Sequence, residues 1–247
     1  MTLLYDGSFE GFLSVVFAVF EYRYAQVDIV AQQRFAPSLF GGEETVYTDA
    51  GKATRVLTKI TALGGKEGSS MFLRAFLSEE QGIENHLLAV FREMLSAPDQ
   101  KVLENFGHSS VLAVCKAAKS VSREVHRMKE FVRFEQVGEL YFARIVPAFD
   151  VLPLIVPHFR ARFSDQQWVL YDPQRGYGFA YNLQTVVPFT PADAHFGKTS
   201  ATSDAYEKLW KTYFKHIGIA ERKNAAYQIR NMPKRYWQFL PEVYGEK

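Results

Sequence analysis

The chain has 247 residues, 47% of them hydrophobic and 15% aromatic, which is enough apolar surface for a substantial core and excludes a disordered polypeptide. A net charge of +2 excludes whole-protein electrostatics as the force behind tight polyanion binding, so a local patch would have to supply it. A single cysteine, Cys115, excludes an intrachain disulfide and fits a reducing, cytoplasmic setting.

In chain order, Leu3–Tyr5 predicts a short strand ended by the turn former Asp6-Gly7. Ser8 is placed to cap a helix reaching about Tyr24, with Phe9, Phe12, Leu13, Val16, Phe17 and Phe20 at helical spacing. The apolar run Phe12–Phe20 is nine residues, against roughly twenty for a membrane span. Asp6 and Glu10 precede it where a signal peptide carries positive charge, so neither a membrane segment nor a leader is expected. Strands are predicted at Val27–Ala31 and Glu44–Thr48. Asp49 then caps a helix that should end at Gly64-Gly65. Further helices follow at about 70–78, 83–95 and 109–130, and Cys115 on the last reads as an inert core thiol.

The second half changes character. Phe131–Gln136 and Leu140–Val146 predict a hairpin, Val151–Phe163 a short helix, and Trp168–Tyr171 with Tyr177–Tyr181 a second strand pair. Pro188–Ser203 has the composition of a surface loop, and Asp204–Ile217 returns to helix. The fold class is therefore α+β: a mostly helical N-terminal half, antiparallel strands and short helices in the C-terminal half, and a C-terminal helix. Residues 1–247 are read as one domain, with a possible subdivision into a helical part, 1–105, and a mixed part, 106–247.

Charge is the informative feature. Between Lys208 and Arg235 eight basic residues face one acid, Glu221, with aromatic residues among them. On the C-terminal helix, Lys208, Lys211 and Lys215 lie opposite an apolar stripe, which equally describes a solvated face. On the 109–130 helix, Lys116, Lys119, Arg123 and Arg127 share a face, flanked by His126, and Lys129 lies beyond; Glu124 and Glu130 dilute the stripe. Arg133 follows, Arg160 and Arg162 fall on the short helix, and Arg230, Lys234, Arg235 and Trp237 mix cations with planar rings near the end. Such residues suit a phosphate backbone and unpaired bases. The alternative is that Tyr236, Trp237 and Phe239 anchor the tail while the charges stay wet.

Catalytic signatures are absent. The six histidines show no pair at helical ligand spacing and one cysteine cannot build a zinc site, so no metal or cofactor is expected. Gly51-Lys52 and Gly65-Lys66 lack the rest of a P-loop, Gly176-Tyr-Gly178 is no dinucleotide fingerprint, and no nucleophile elbow occurs. Only a convergence of His126, His158 and Asp172 would offer acid–base chemistry.

Six ordered segments carry a resemblance: Tyr5–Phe12, His126–Phe134, Val151–Phe159, Trp168–Asp172, Glu221–Asn224 and Met232–Trp237. Together they resemble a bacterial family named for DNA metabolism and built around a domain of unknown function. The resemblance implies a DNA-linked role, because members of that family sit beside a radical-SAM protein linked to DNA modification or repair. Related domains are fused behind uracil-DNA-glycosylase-like modules. DNA and a radical-SAM protein are thus the implied partners, and the resemblance supplies no catalytic residues. Three readings stay open: a DNA-associated protein gripping phosphate, a nucleic-acid-processing repair enzyme of glycosylase or nuclease type with a cryptic site, and a non-catalytic adaptor.

Overall fold

The computed structural model describes residues 1–37, 42–98, 101–137 and 140–190, together with Tyr236. It divides into two compact units, Met1–Ser122 and Arg123–Lys247. The division falls inside one long helix.

In the first unit, strand β1 (Thr2–Tyr5) runs into Asp6-Gly7, where Gly7 takes φ +87°, a left-handed conformation that glycine tolerates without strain. Ser8 then caps α1 (Phe9–Glu21), its hydroxyl accepting from the Gly11 N–H at 2.9 Å. The chain returns as β2 (Asp28–Ala31), parallel to β1, and β3 (Glu43–Thr45) lies parallel on the other side, giving the order β2-β1-β3. The β1–α1–β2 segment is a crossover unit, which the sequence reading did not anticipate. Strands of three or four residues carry too little periodicity to reveal their partners.

Asp49 caps α2 (Ala50–Phe76) as expected, accepting from the Lys52 N–H at 2.9 Å. The expected break at Gly64-Gly65 is present, as a kink between two helical segments. Gly65 takes φ 68° and ψ −173°, a break of one residue, and the helix resumes at once. Helix α3 (Ile83–Ser96) and the first part of α4 (Ser109–Phe131) complete the unit. The core collects Leu3, Phe12, Val16, Ile60, Phe72, Leu87 and Val114, all but fully buried. Within it the Tyr5 hydroxyl donates to Glu84 at 2.9 Å. Burial, then the neighbouring Glu84 carboxylate, push the Tyr5 phenol far above its ordinary range. Cys115 is half-buried, with Sγ 3.5 Å from Met71 Sδ, and burial raises its thiol pKa, so it lacks the thiolate character of a reactive cysteine.

The second unit holds a sheet of order β4-β5-β6-β7-β8. Helix α4 runs on to Phe131, so β4 (Glu135–Val137) begins later than the sequence suggests. It pairs antiparallel with β5 (Leu140–Arg144). Helix α5 (Leu152–Arg162) then crosses over to β6 (Trp168–Asp172), which lies parallel to β5 in the register Tyr141↔Trp168. Strands β7 (Tyr177–Tyr181) and β8 (Val186–Phe189) follow antiparallel. Composition alone placed Pro188 in a loop; it sits in β8, at the end of the strand order, where its missing N–H costs no ladder bond. The expected C-terminal helix at 204–217 lies outside the described residues.

Among the described residues no helix is long and apolar enough to cross a membrane.

Candidate nucleic-acid interface

The cations of α4 divide by what holds them. Lys119, in the first unit, and Arg123, in the second, are exposed. Arg127 is partly buried, with Nη1 3.7 Å from the carboxylate of Glu124, which is only 1% exposed. Glu124 also accepts from the Ala148 N–H at 2.8 Å and from the Tyr236 hydroxyl. Arg127 therefore balances a buried carboxylate rather than offering its charge to a ligand. His126 Nε2 lies 3.1 Å from Glu130 one turn along, an ion pair whenever the imidazole is protonated. Arg133 donates through Nη1 to the carbonyls of Glu130, at 2.7 Å, and Val132, at 3.3 Å, closing the last turn of α4. On α5, Arg160 reaches the carbonyl of Gln184 at 3.4 Å, while Arg162 extends beside the Phe163 ring, 5.6 Å from its centroid.

The crossover β5–α5–β6 builds a cleft. Its parallel register sets Tyr141 beside Trp168, and Phe159 and Arg162 fall one turn apart on α5. With the end of α4 and residues 132–134 they line a space of about 680 Å³. The walls are aromatic. Phe134 meets Phe159, Phe163 and Trp168 edge-on, with centroids 5.3, 5.4 and 6.1 Å away. Phe159 and Phe163 are nearly parallel, at 3° and 6.3 Å. Tyr141 completes the ring lining.

The charged lining is lopsided. Among the described residues Lys129, Arg133 and Arg162 line the cleft against one carboxylate, Glu130, which His126 already approaches. Trp168 is fully buried, and among the described residues its Nε1–H has no hydrogen-bond partner. An unmet buried donor costs about 1–3 kcal/mol. His158 Nε2 is likewise buried without a partner. Burial first, then the Lys129 and Arg162 cations, hold the His158 pKa below its ordinary value, favouring the neutral ring.

Asp172 is fully buried and tied to its own turn. It accepts from the Gln174 N–H at 2.9 Å and from Arg175 Nη1 at 2.8 Å. Neither His126, His158 nor Asp172 takes either of the others as a partner, so the three do not form an acid–base constellation. Among the described residues no cluster of His, Cys, Asp or Glu could hold a metal ion.

Tyr236 is 3% exposed and packs 6.1 Å from the Phe131 ring, so its ring is core to the second unit. Arg230, Lys234, Arg235 and Trp237, like Lys208, Lys211 and Lys215, lie outside the described residues. The sequence reading brought Arg133 and Arg162 to the cleft but missed Phe134, Tyr141, Phe163 and Trp168. The usable signal was the β–α–β spacing from Leu140 to Asp172, which runs from the start of β5 to the end of β6.

These features define a mixed helix-and-sheet protein whose second unit carries an aromatic cleft with a cationic border. The chain belongs to the family of the domain of unknown function DUF4130, whose model matches residues 81–242 and so includes the entire cleft. No curated protein and no solved structure matches it.

Proposed function

We propose that this chain is a cytoplasmic DNA-associated protein that grips the phosphate backbone and serves DNA repair or modification, alongside a radical-SAM partner. The observation that supports the reading is the cleft, where Lys129, Arg133 and Arg162 stand beside five aromatic side chains with one carboxylate among them. Cations beside ring faces match a strand that is charged along its backbone and planar at its bases. Exposed Lys119 and Arg123 on α4, and Arg160 at the end of α5, are further candidates for phosphate contact. Arg127 and His126 contribute less, because each faces a carboxylate. The partner and the repair setting rest on the family resemblance.

The test is fluorescence anisotropy of labelled single-stranded and duplex DNA across a salt series. Three engaged cations give a slope of roughly −2 in log K against log salt on a single strand, about a 20-fold loss between 50 and 200 mM. Absent or salt-insensitive binding would reject the proposal. A processing enzyme built on His126, His158 and Asp172 lacks comparable support, since His126 faces Glu130, Asp172 is tied to Arg175, and neither bonds to His158.

A further inference from the structure

Phosphate contacts alone do not call for an aromatic chamber. We propose, on the DNA-binding reading above, that the cleft of the second unit receives one unpaired nucleotide of a DNA strand. Its base lies against the half-buried rings of Phe134, Tyr141 and Phe163, and its phosphate against Lys129 and Arg162.

The rings differ in what they can do. Phe159 is 2% exposed and Trp168 is fully buried, so these two form the packed backing. Phe134, Tyr141 and Phe163 are only partly covered and line the same space, so they retain surface for stacking. The backing also holds them still. Phe163 is fixed between Phe134 and Phe159 at centroid distances of 5.4 and 6.3 Å, so little freedom is lost when a base arrives. At about 680 Å³ the cleft lies in the ordinary range for small-ligand sites, roughly 300–1,000 Å³, and admits a nucleotide. A paired, stacked duplex keeps its base faces hidden and cannot use those rings.

Polarity points the same way. Among the described residues the charged lining is mostly cationic, with Lys129, Arg133 and Arg162. Arg162 is held 5.6 Å from the Phe163 ring, where a nucleotide stacked on that ring would bring its phosphate within reach. Glu130, the one carboxylate among the described lining residues, faces His126, which reduces repulsion of an anion while the imidazole is protonated.

The experiment uses the full chain, a short labelled single strand, the same strand carrying one run of abasic sites, its duplex, and free dTMP. Phe163→Leu preserves apolar volume and removes the ring face; Tyr141→Leu does the same from β5, and circular dichroism checks both folds. The expected result is tighter binding of the single strand than of the duplex. Each variant should lose roughly tenfold or more on the intact strand and nothing on the duplex or the abasic strand. Arg162→Gln should reduce the salt slope by about 0.7 on the single strand. Natively folded variants that bind the intact strand as well as wild type overturn the nucleotide site, yet leave phosphate binding standing. If neither DNA form binds with salt dependence, the DNA reading fails by itself. Tryptophan quenching by dTMP that Phe163→Leu abolishes would then still support the cleft, and no quenching would overturn it.

Discussion

Asp172→Asn tests whether the turn between β6 and β7 is pinned by a buried ion pair. Oδ1 accepts from the backbone N–H of Gln174 at 2.9 Å and of Arg175 at 3.3 Å, bonds that an asparagine oxygen can keep. Oδ2 accepts from Arg175 Nη1 at 2.8 Å, and there the asparagine would present an NH2 donor to another donor. The Arg175 guanidinium, 11% exposed, would then lean more heavily on the carbonyls of Pro147 and Ala148, at 3.2 and 3.5 Å. Losing one partner of a buried pair costs about 3–5 kcal/mol, far more than the pair's net worth, because a charge is left in low dielectric. The double change Asp172→Asn with Arg175→Met removes the cation as well and should recover about 2 kcal/mol or more of the single-variant loss. The assay is urea unfolding at neutral pH followed by tryptophan fluorescence. Of the three tryptophans, Trp168 is buried in β6 beside this turn, and all three fall within Arg123–Lys247, so the signal follows the second unit. A loss under about 1 kcal/mol for the single variant, or no recovery in the double, would refute the reasoning.

Other perturbations have equally definite signs. Gly11→Ala would place a Cβ 2.2 Å from Asp6 Oδ1 and displace that carboxylate from Ser8 and Thr48; a net loss of about 1–2 kcal/mol is expected despite alanine's better helix propensity, read by thermal melting in far-ultraviolet circular dichroism. Gly178→Ala would bring a Cβ to 2.5 Å from the Leu170 carbonyl and 2.7 Å from the Phe189 ring, and should cost about 2 kcal/mol or more in the tryptophan-monitored transition. His158 has a folded-state pKa below the ordinary 6.5, so the unfolded chain binds the proton more readily; stability should be full above pH 6.5 and fall as pH drops below it, and His158→Gln should flatten that limb in melts between pH 7.5 and 5. Asp6 behaves as an acid of lowered pKa: burial opposes the shift, but hydrogen bonds from Ser8 and Thr48 outweigh it, so its contribution is present above the ordinary 3.8 and lost on further acidification, a loss that Thr48→Val should reduce.

Long, strongly periodic segments were legible from residue order. Ser8, Asp49 and the apolar stripe of α3 announced their helices, and the turn Asp172–Gly176 announced the β6–β7 pair. What escaped was pairing between segments distant along the chain. β1, β2 and β3 are too short to carry a face pattern, and their parallel partnership depends on how α1 packs, which no local window contains. The cleft escaped for the same reason. Phe134, Tyr141, Phe163 and Trp168 read locally as ordinary strand or helix-end aromatics, and only the β5–α5–β6 crossover makes them neighbours. At Gly65 the local stop signal held: its left-handed φ separates two helical segments, and both bury apolar residues, Ile60 before it and Phe72 after, in one core.

Counting basic residues overstates an interface, and α4 shows by how much. Its stripe contains cations that a sequence treats alike, yet Arg127 is drawn to Glu124, whose burial would be untenable without compensation, and His126 faces Glu130. Arg133 spends part of its donor capacity on the carbonyls that end the helix, where a cation also meets the negative end of the backbone dipole. The same dipole argument explains Arg160 and Arg162 in the last turn of α5 without any ligand. What the dipole does not explain is the company Arg162 and Lys129 keep: a chamber of rings in which, among the described residues, Glu130 is the one carboxylate. Packing accounts for the buried faces of Phe159 and Trp168; the partly open faces of Phe134, Tyr141 and Phe163 gain nothing from the fold by staying uncovered. That difference, rather than the number of lysines and arginines, is what the proposed planar anionic ligand would account for.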